Sequence, residues 1–331
     1  MNHIHPRRAR EILENAKGKR IAVIGDLMLD RHLWGRVSRI SPEAPVPVVE
    51  IESETIGLGG AGNVVNNLRA LGARPIPFGA VGQDSAGEVL FGILKNVCSD
   101  VRGVLRLATR LTSEKTRIIA SDQHVVRADR ETAADLQASE EEALLGVLEH
   151  VLPEVEALIL QDYNKGVVTP KVIQGAIAAG LRRGIPITVD PKFSNFFAFK
   201  GVTLFKPNTK EMEKALGIPL SSDSQIEEAG RVLFERLGCR HILITRGEQG
   251  MTLFHDPYRL EHIRTKARKV HDVSGAGDTV ISTLTMAMTG GGDLGESAVL
   301  ANYAAGVVCG EVGVVPIEPE RLLAAIERDS E

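Results

Sequence analysis

Val155-Glu-Ala-Leu-Ile-Leu-Gln-Asp162, then Thr169-Pro170, then Ile185-Pro-Ile-Thr-Val-Asp190 are the segments that decide the fold. The first is a short apolar run that reads as a buried strand ending at Gln161-Asp162. Thr169 and Pro170 supply a cap and a first-turn proline for a helix. The third segment is a second strand. Outward from this strand–helix–strand unit the rhythm repeats. Upstream, Ser139 and Glu142 make a capping box for a helix running to Leu152, stopped by Pro153. Downstream come strands at Val202–Phe205, His241–Thr245 and Gly250–Phe254, with a helix boxed by Ser224 and Glu227. Two more helices follow, from Gly277 and from about Asp293. Arg20-Ile-Ala-Val-Ile-Gly-Asp26 reads as the first strand.

Alternating strands and helices predict an α/β fold, a mostly parallel sheet with helices on both faces. Ligands of such sheets bind beyond the C-terminal ends of the strands, where Asp26, Asp162, Asp190, Asn208 and Thr245 fall. Two stretches break the rhythm. Trp34–Glu54 is β-rich with prolines at 42, 45 and 47, and Arg106–Arg130 alternates polar and apolar residues. These predict a small separate sheet with one wet face, with strands within about 31–54 and 106–130. The expectation is one α/β domain over residues 1–331 with a β appendage.

Composition narrows the function. A hydrophobic share of 43% and a charged share of 25% are ordinary for a soluble globular protein of 331 residues. The net charge of −4 and the scarcity of aromatics argue against nucleic acid or an anionic membrane as partner. Cys98, Cys239 and Cys309 have no metal-like spacing and fit reduced thiols in a cytoplasmic protein. Residues 1–20 lack the apolar core of a signal peptide, and no apolar stretch is long enough to span a membrane. His3-Ile4-His5 reads as a frayed terminus rather than a metal chelate.

The chemistry is concentrated in Asp272-Val-Ser-Gly-Ala-Gly-Asp278. The apolar run behind it (Val280, Ile281, Leu284, Met286) reads as a helix with Gly275–Gly277 as its first turn. Amides there have no partner within the helix, and the helix dipole favours an anion. An aspartate beside such a cradle can take a proton from an attacking hydroxyl while the amides hold developing charge. The plain alternative is a Gly-rich turn with Asp278 satisfying the dipole.

Gly57-Leu-Gly-Gly-Ala-Gly62 matches the dinucleotide fingerprint in form, but the strand before it belongs to the β appendage. Gly59, Gly60 and Asn63 read instead as a close-approach turn whose amides meet a sugar hydroxyl. Asn208 and Glu211 form a capping box, and at a strand end the acid could also hold magnesium through water. Thr245-Arg-Gly247-Glu-Gln-Gly250 is either a hairpin or a contact to nucleotide phosphate. Asp162 with Lys165, and Asp190 with Lys192, read as two acid–base pairs on one rim, which suits a polar, anionic ligand.

Together these residues resemble the PfkB/ribokinase family of sugar kinases, from Ile21 to about Gly313. Asp272–Asp278 matches the family's C-terminal D-[TV]-[ST]-G-A-G-D motif residue for residue. Gly59-Gly60 with Asn63 resembles its glycine motif, Asp30 its sugar-binding aspartate, and Asn208 with Glu211 its N-x-x-E element. The resemblance implies a ribokinase-like fold whose β appendage is a lid and the interface of a homodimer. It implies ATP and Mg2+ as cofactors, with Glu211 toward the metal. Asp278 would be the base, and the amides of Gly275, Ala276 and Gly277 the anion hole. Asp272, Ser274, Thr245, Gly247 and Asn208 would face the nucleotide, with Asn302 near the adenine. Asp30, Gly59, Gly60, Asn63 and Asp162 would hold the sugar. Ser41-Pro-Glu-Ala-Pro-Val-Pro-Val, Gln161-Asp-Tyr-Asn-Lys-Gly, Asp190-Pro-Lys and Asp278-Thr-Val-Ile look closest to the branch that phosphorylates a heptose 7-phosphate for lipopolysaccharide synthesis. For that phosphate, Lys165, Lys192 and Arg127 are the expected partners. Relatives of this branch carry a fused nucleotidyltransferase domain, and with the last residue at Glu331 that step is expected from another protein. Other expectations are a kinase of fructose, ribose or another phosphosugar, a nucleotide sensor without catalysis, and a nicotinamide oxidoreductase.

Overall fold

The computed structural model describes residues 3–120, 123–267, 270–311 and 313–330. Helix α1 (Pro6–Ala16) leads into strand β1 (Arg20–Gly25). Strands β2 (Leu27–Ile40) and β3 (Pro47–Gly60) form a long antiparallel pair, and α2 (Ala61–Ala70) follows without a linker. Next come β4 (Arg74–Gly82), α3 (Ser85–Val97), β5 (Gly103–Leu107), and a second antiparallel pair, β6 (Ser113–Ala120) and β7 (Gln123–Arg130). The regular rhythm then runs α4 (Ala138–Val151), β8 (Ala157–Gln161), α5 (Pro170–Arg183), β9 (Ile187–Asp190) and β10 (Leu204–Phe205). It continues through α6 (Thr209–Leu216), α7 (Asp223–Leu237), β11 (His241–Thr245), β12 (Met251–Phe254) and β13 (Leu260–Ile263). Helices α8 (Ala276–Thr289), α9 (Leu294–Val308) and α10 (Pro319–Ser330) complete the order.

The larger sheet has the strand order β13-β12-β11-β10-β9-β8-β1-β4-β5. It is parallel from β5 to β11, and β12 runs antiparallel. Strand β1 shows why it is buried on both sides. Ile21 and Val23 point into a core built with α1, α2, α8, α9 and α10, while Ala22 and Ile24 point into a second core with α4, α5 and α7. Alternate residues of a strand face opposite sides, so a sheet covered twice needs an unbroken apolar run.

The smaller sheet, β3-β2-β6-β7, projects from the end of β1. Strand β2 starts two residues after β1 ends, and its burial fades from Leu27–Asp30 at the base to an exposed tip. The chain leaves the large sheet at its C-terminal edge, where ligands bind, and returns through β3 directly into α2.

Four expectations are corrected. Arg106 belongs to β5 and pairs with Val81 of the large sheet, so the second stretch of the appendage begins at Ser113. Short alternation suits either sheet, and the packing of Leu105 and Leu107 against the second core decides it. The box for α4 is Gln137 with Glu140, and that for α7 is Ser222 with Gln225, each two residues upstream of the expected box. Glu140 and Gln225 accept from the amides of Gln137 and Ser222 at 2.8 and 3.1 Å, which sets each helix start two residues earlier. The N-terminus is not frayed from His3 onward: Ile4 is buried, His5 Nδ1 caps α1 from 3.2 Å, and Ala9, Ile12, Leu13 and Ala16 pack into the first core.

Candidate active site

Ser274 N–H donates to Asp272 Oδ1 at 2.9 Å, and Gly275 turns the chain with φ of +77°, a left-handed conformation suited to glycine. The turn delivers α8 with Asp278 in its first turn and buried. Ala276 N–H donates to Val273 O at 3.2 Å, so of the three expected amides this one is already engaged.

Three donors meet the Asp278 carboxylate. Asn63 Nδ2 reaches Oδ2 at 2.8 Å, while Gln161 Nε2 and the Tyr163 hydroxyl reach Oδ1 at 3.0 and 2.6 Å. Burial pushes the Asp278 carboxyl up to about 6, with Asp190 adding repulsion, against the hydrogen bonds from Tyr163 and Asn63 and the charge of Lys206. A carboxylate at this value is a proton acceptor near neutrality.

Gln161 Nε2 also donates to Asp190 Oδ2 at 3.1 Å, and Asp190 pairs with the buried Lys206 at 3.0 Å. A Cβ placed on Gly277 would lie 3.6 Å from Asp190 Oδ2 and 3.7 Å from Lys206 Nζ, so the helix start lies next to this ion pair. Lys192 pairs with Glu211. Although burial opposes its charge, Asp190 and Glu211 hold the Lys192 ammonium above its ordinary value. Glu211 Oε2 accepts from Asn208 N–H at 2.9 Å, so the expected capping box is real. Asn208 bridges to Thr245 across adjacent strand ends, and Gly247 follows in a short 3-10 turn.

At the base of β2, Asp30 accepts from Arg117 Nη1 at 3.1 Å. Gly59 lies against Asp30 so closely that a Cβ would stand 2.8 Å from its Cγ. Gly60 joins β3 to α2, and α2 carries Asn63 into the core beneath Asp278. The loop after β8 is strung on Asp26, whose carboxylate accepts from the amides of Tyr163, Lys165 and Val167 at 2.8, 3.1 and 3.0 Å. Asp162 faces the turn itself, accepting from Asn164 N–H at 2.7 Å, and burial pushes its carboxyl up to about 7.

The two expected acid–base pairs are not formed. Lys165 pairs with Glu131 at 2.5 Å, and Asp190 takes Lys206 instead of Lys192. The partner of Asp190 comes from the end of the neighbouring strand β10, and that of Lys165 from the residue after β7. Arg127 sits on the exposed edge strand β7, paired with Asp129 at 2.9 Å. Asn302 donates to the Arg264 carbonyl at 2.6 Å and so holds the segment after β13.

Sequence reasoning passed over Gln161, Tyr163, Lys206, Arg117 and Lys115 as site residues. Gln161 and Lys206 stood at strand ends, which was the available signal, but side-chain direction is not written there. Lys115 lies on β6 with its Nζ 5.5 Å from the Tyr163 ring centroid. Burial pushes its ammonium below the ordinary value, against the pull of Asp30 and Glu131. Among the described residues no carboxylate pairs with it within 4.0 Å.

The chain is similar to known proteins in sequence and in overall shape. The chain is 43% identical over 319 residues to the bifunctional protein HldE of Geotalea uraniireducens, covering 96% of this chain and 64% of that protein. It is 43% identical over 304 residues to HldE of Geobacter sulfurreducens, covering 92% and 62%. The chain thus spans under two thirds of the length of these relatives. Its shape matches Escherichia coli phosphofructokinase-2 in complex with potassium, with a TM-score of 0.78 at 19% identity, covering 95% of this chain and all of that one. It also matches Arabidopsis thaliana ribokinase complexed with ribose and ATP, with a TM-score of 0.71 at 17% identity, covering 94% and 99%. These likenesses establish a ribokinase-like α/β fold with a small separate sheet. Residues 19–321 match the pfkB family carbohydrate kinase profile, and the chain belongs to that family of phosphotransferases with alcohol acceptors.

Proposed function

We propose that this chain transfers the γ-phosphoryl group of ATP to O1 of D-glycero-β-D-manno-heptose 7-phosphate. The product is the 1,7-bisphosphate, on the route to ADP-heptose and the lipopolysaccharide inner core, in the cytoplasm. The observation that carries the reaction type is Asp278, a buried carboxylate poised near pH 6 at the start of α8. The heptose assignment rests on the sequence stretches quoted above and is supported by the relatives named bifunctional protein HldE.

Asp278 takes the proton of the acceptor hydroxyl. The amides of Gly275 and Gly277 and the ammonium of Lys206 hold the charge that develops on the transferred group. ATP, with its Mg2+, supplies the phosphoryl group when bound. Asn208, Thr245 and Gly247 would hold it at the ends of β10 and β11, and Asp272 and Ser274 shape the turn beside it. Both Glu211 oxygens already have protein partners, which fits a magnesium reached through water. Asp30, Gly59, Gly60 and Asn63 would seat the sugar. Lys165, Lys192 and Arg127 each have a carboxylate partner, so Lys115 is the better seat for the 7-phosphate. The lid strands and the loop between them expose Val37, Ile40, Val46, Ile51 and Val126, which suits a homodimer through the lid.

The test is ADP release with Mg·ATP and heptose 7-phosphate, unphosphorylated heptose, fructose 6-phosphate and ribose. Turnover confined to heptose 7-phosphate supports the assignment. Turnover with another sugar overturns the substrate, and silence with every sugar despite tight ATP binding overturns the kinase reading.

A further inference from the structure

The hydrogen bonds of Asp278 are distributed unevenly between its two oxygens. A carboxylate offers about four lone-pair sites, two on each oxygen. Oδ1 is filled by Gln161 Nε2 at 3.0 Å and the Tyr163 hydroxyl at 2.6 Å. Oδ2 holds Asn63 Nδ2 alone. An incoming hydroxyl therefore has one place to donate, the free site on Oδ2.

Tyr163 is held for this task. Its own amide and those of Lys165 and Val167 all donate to the buried Asp26 carboxylate, which fixes the loop leaving β8. Two ammonium groups lie near its ring, Lys115 Nζ at 5.5 Å and Lys192 Nζ at 5.4 Å from the centroid. Burial and the charges of Asp278 and Asp190 raise the phenol far above its ordinary range, so it stays a proton donor.

We propose that Tyr163 is a positioning residue for the base: its hydroxyl occupies Oδ1, directs the acceptor to Oδ2, and stabilises the ionised carboxylate. This rests on Asp278 being the base. As the acceptor O–H bond breaks, its proton goes to Oδ2, the new O–P bond forms, and the P–O bond to the nucleoside diphosphate breaks. The other groups facing Asp278 are Asp190 from β9, Lys192 just beyond it, Lys206 after β10, and the uncharged Asn63 and Gln161. All of them persist when the phenol oxygen is removed, so a change in titration reports Tyr163.

The experiment is the pH profile of kcat/KM for heptose 7-phosphate, from pH 5 to 9, in the full chain and in Tyr163→Phe. Losing one hydrogen bond to a charged group moves the acid limb up by roughly one to two pH units. The alkaline plateau of kcat should stay within about tenfold of the native value, and KM for ATP should not change. A loss of equal size at every pH, or an unmoved limb, overturns the proposal. Should Tyr163→Phe not fold, 3-fluorotyrosine at position 163 keeps the ring and is a stronger donor. The limb then moves to lower pH, and an unmoved limb overturns the proposal. Asp278→Asn separates the two readings. Full activity in that variant removes Asp278 as base, whereas silence there with an unmoved Tyr163→Phe profile removes only the role of Tyr163.

Discussion

Two glycines two residues apart on β3 should respond very differently to the same added methyl group. Gly57 stands directly across from Asp30 in the β2–β3 register, yet a Cβ there meets nothing within 4 Å. At Gly59 a Cβ lands 2.8 Å from Asp30 Cγ and Oδ2 and 3.0 Å from Oδ1, about 0.6 Å short of ordinary contact at 3.4 Å. Neither glycine has positive φ, so backbone strain does not separate them. In Gly59→Ala the Asp30 carboxylate must turn away from the place where it meets Arg117 at 3.1 Å. If Asp30 holds a sugar hydroxyl, the loss is one hydrogen bond to a charged group, ~1.5–3 kcal/mol. That corresponds to a rise of roughly 10- to 150-fold in KM for the acceptor. Steady-state kinetics with heptose 7-phosphate varied at saturating ATP reads this directly, with KM for ATP as the internal control. Gly57→Ala should match the native chain. An acceptor KM within twofold of native for Gly59→Ala, or an equal effect at Gly57, would refute the placement of the sugar against Asp30.

Asp278→Asn should lower kcat by ~10²–10⁴-fold while ATP binding, followed by calorimetry, is retained. Its thermal midpoint should move little, because relief of a buried charge opposes the donor–donor clash that an amide creates with Asn63; a kcat within tenfold of native would sink the base assignment. The base works ionised, and its carboxyl sits at about 6. The ionised fraction therefore falls as pH drops through 6, and kcat/KM should decline about tenfold per unit well below that value. A profile flat down to pH 5 would contradict this. Lys115→Met should raise KM for heptose 7-phosphate by ~10-fold or more, about the worth of one charged hydrogen bond. The same variant should leave any weak turnover of unphosphorylated heptose unaltered, and equal losses on both sugars would remove Lys115 from the phosphate site.

The large sheet could be read in advance because its determinants are local. An apolar run such as Ile21–Ile24, a cap such as Thr169 and a first-turn proline at 170 state strand and helix by themselves. The start of α8 could be read for the same reason, since Gly275 with positive φ and the acid three residues on are facts of one turn. What sequence alone determined was therefore the βα order, the strand-end acids and the place of Asp278 in the first turn of α8. Tertiary structure alone decided which partners those residues take. Lys192 could have paired with Asp190 two residues away, but the neighbouring strands bring Lys206 to Asp190 and Glu211 to Lys192. Tyr163 reaches Asp278 across 115 positions only because Asp26 anchors its loop at the end of β8. Arg106 joined the large sheet rather than the smaller one for a similar reason, the packing beneath β5. Backbone preference is short-ranged, whereas the charge on Asp278 depends on burial and on donors from two distant segments, α2 and the end of β8, that meet only when the sheet is assembled.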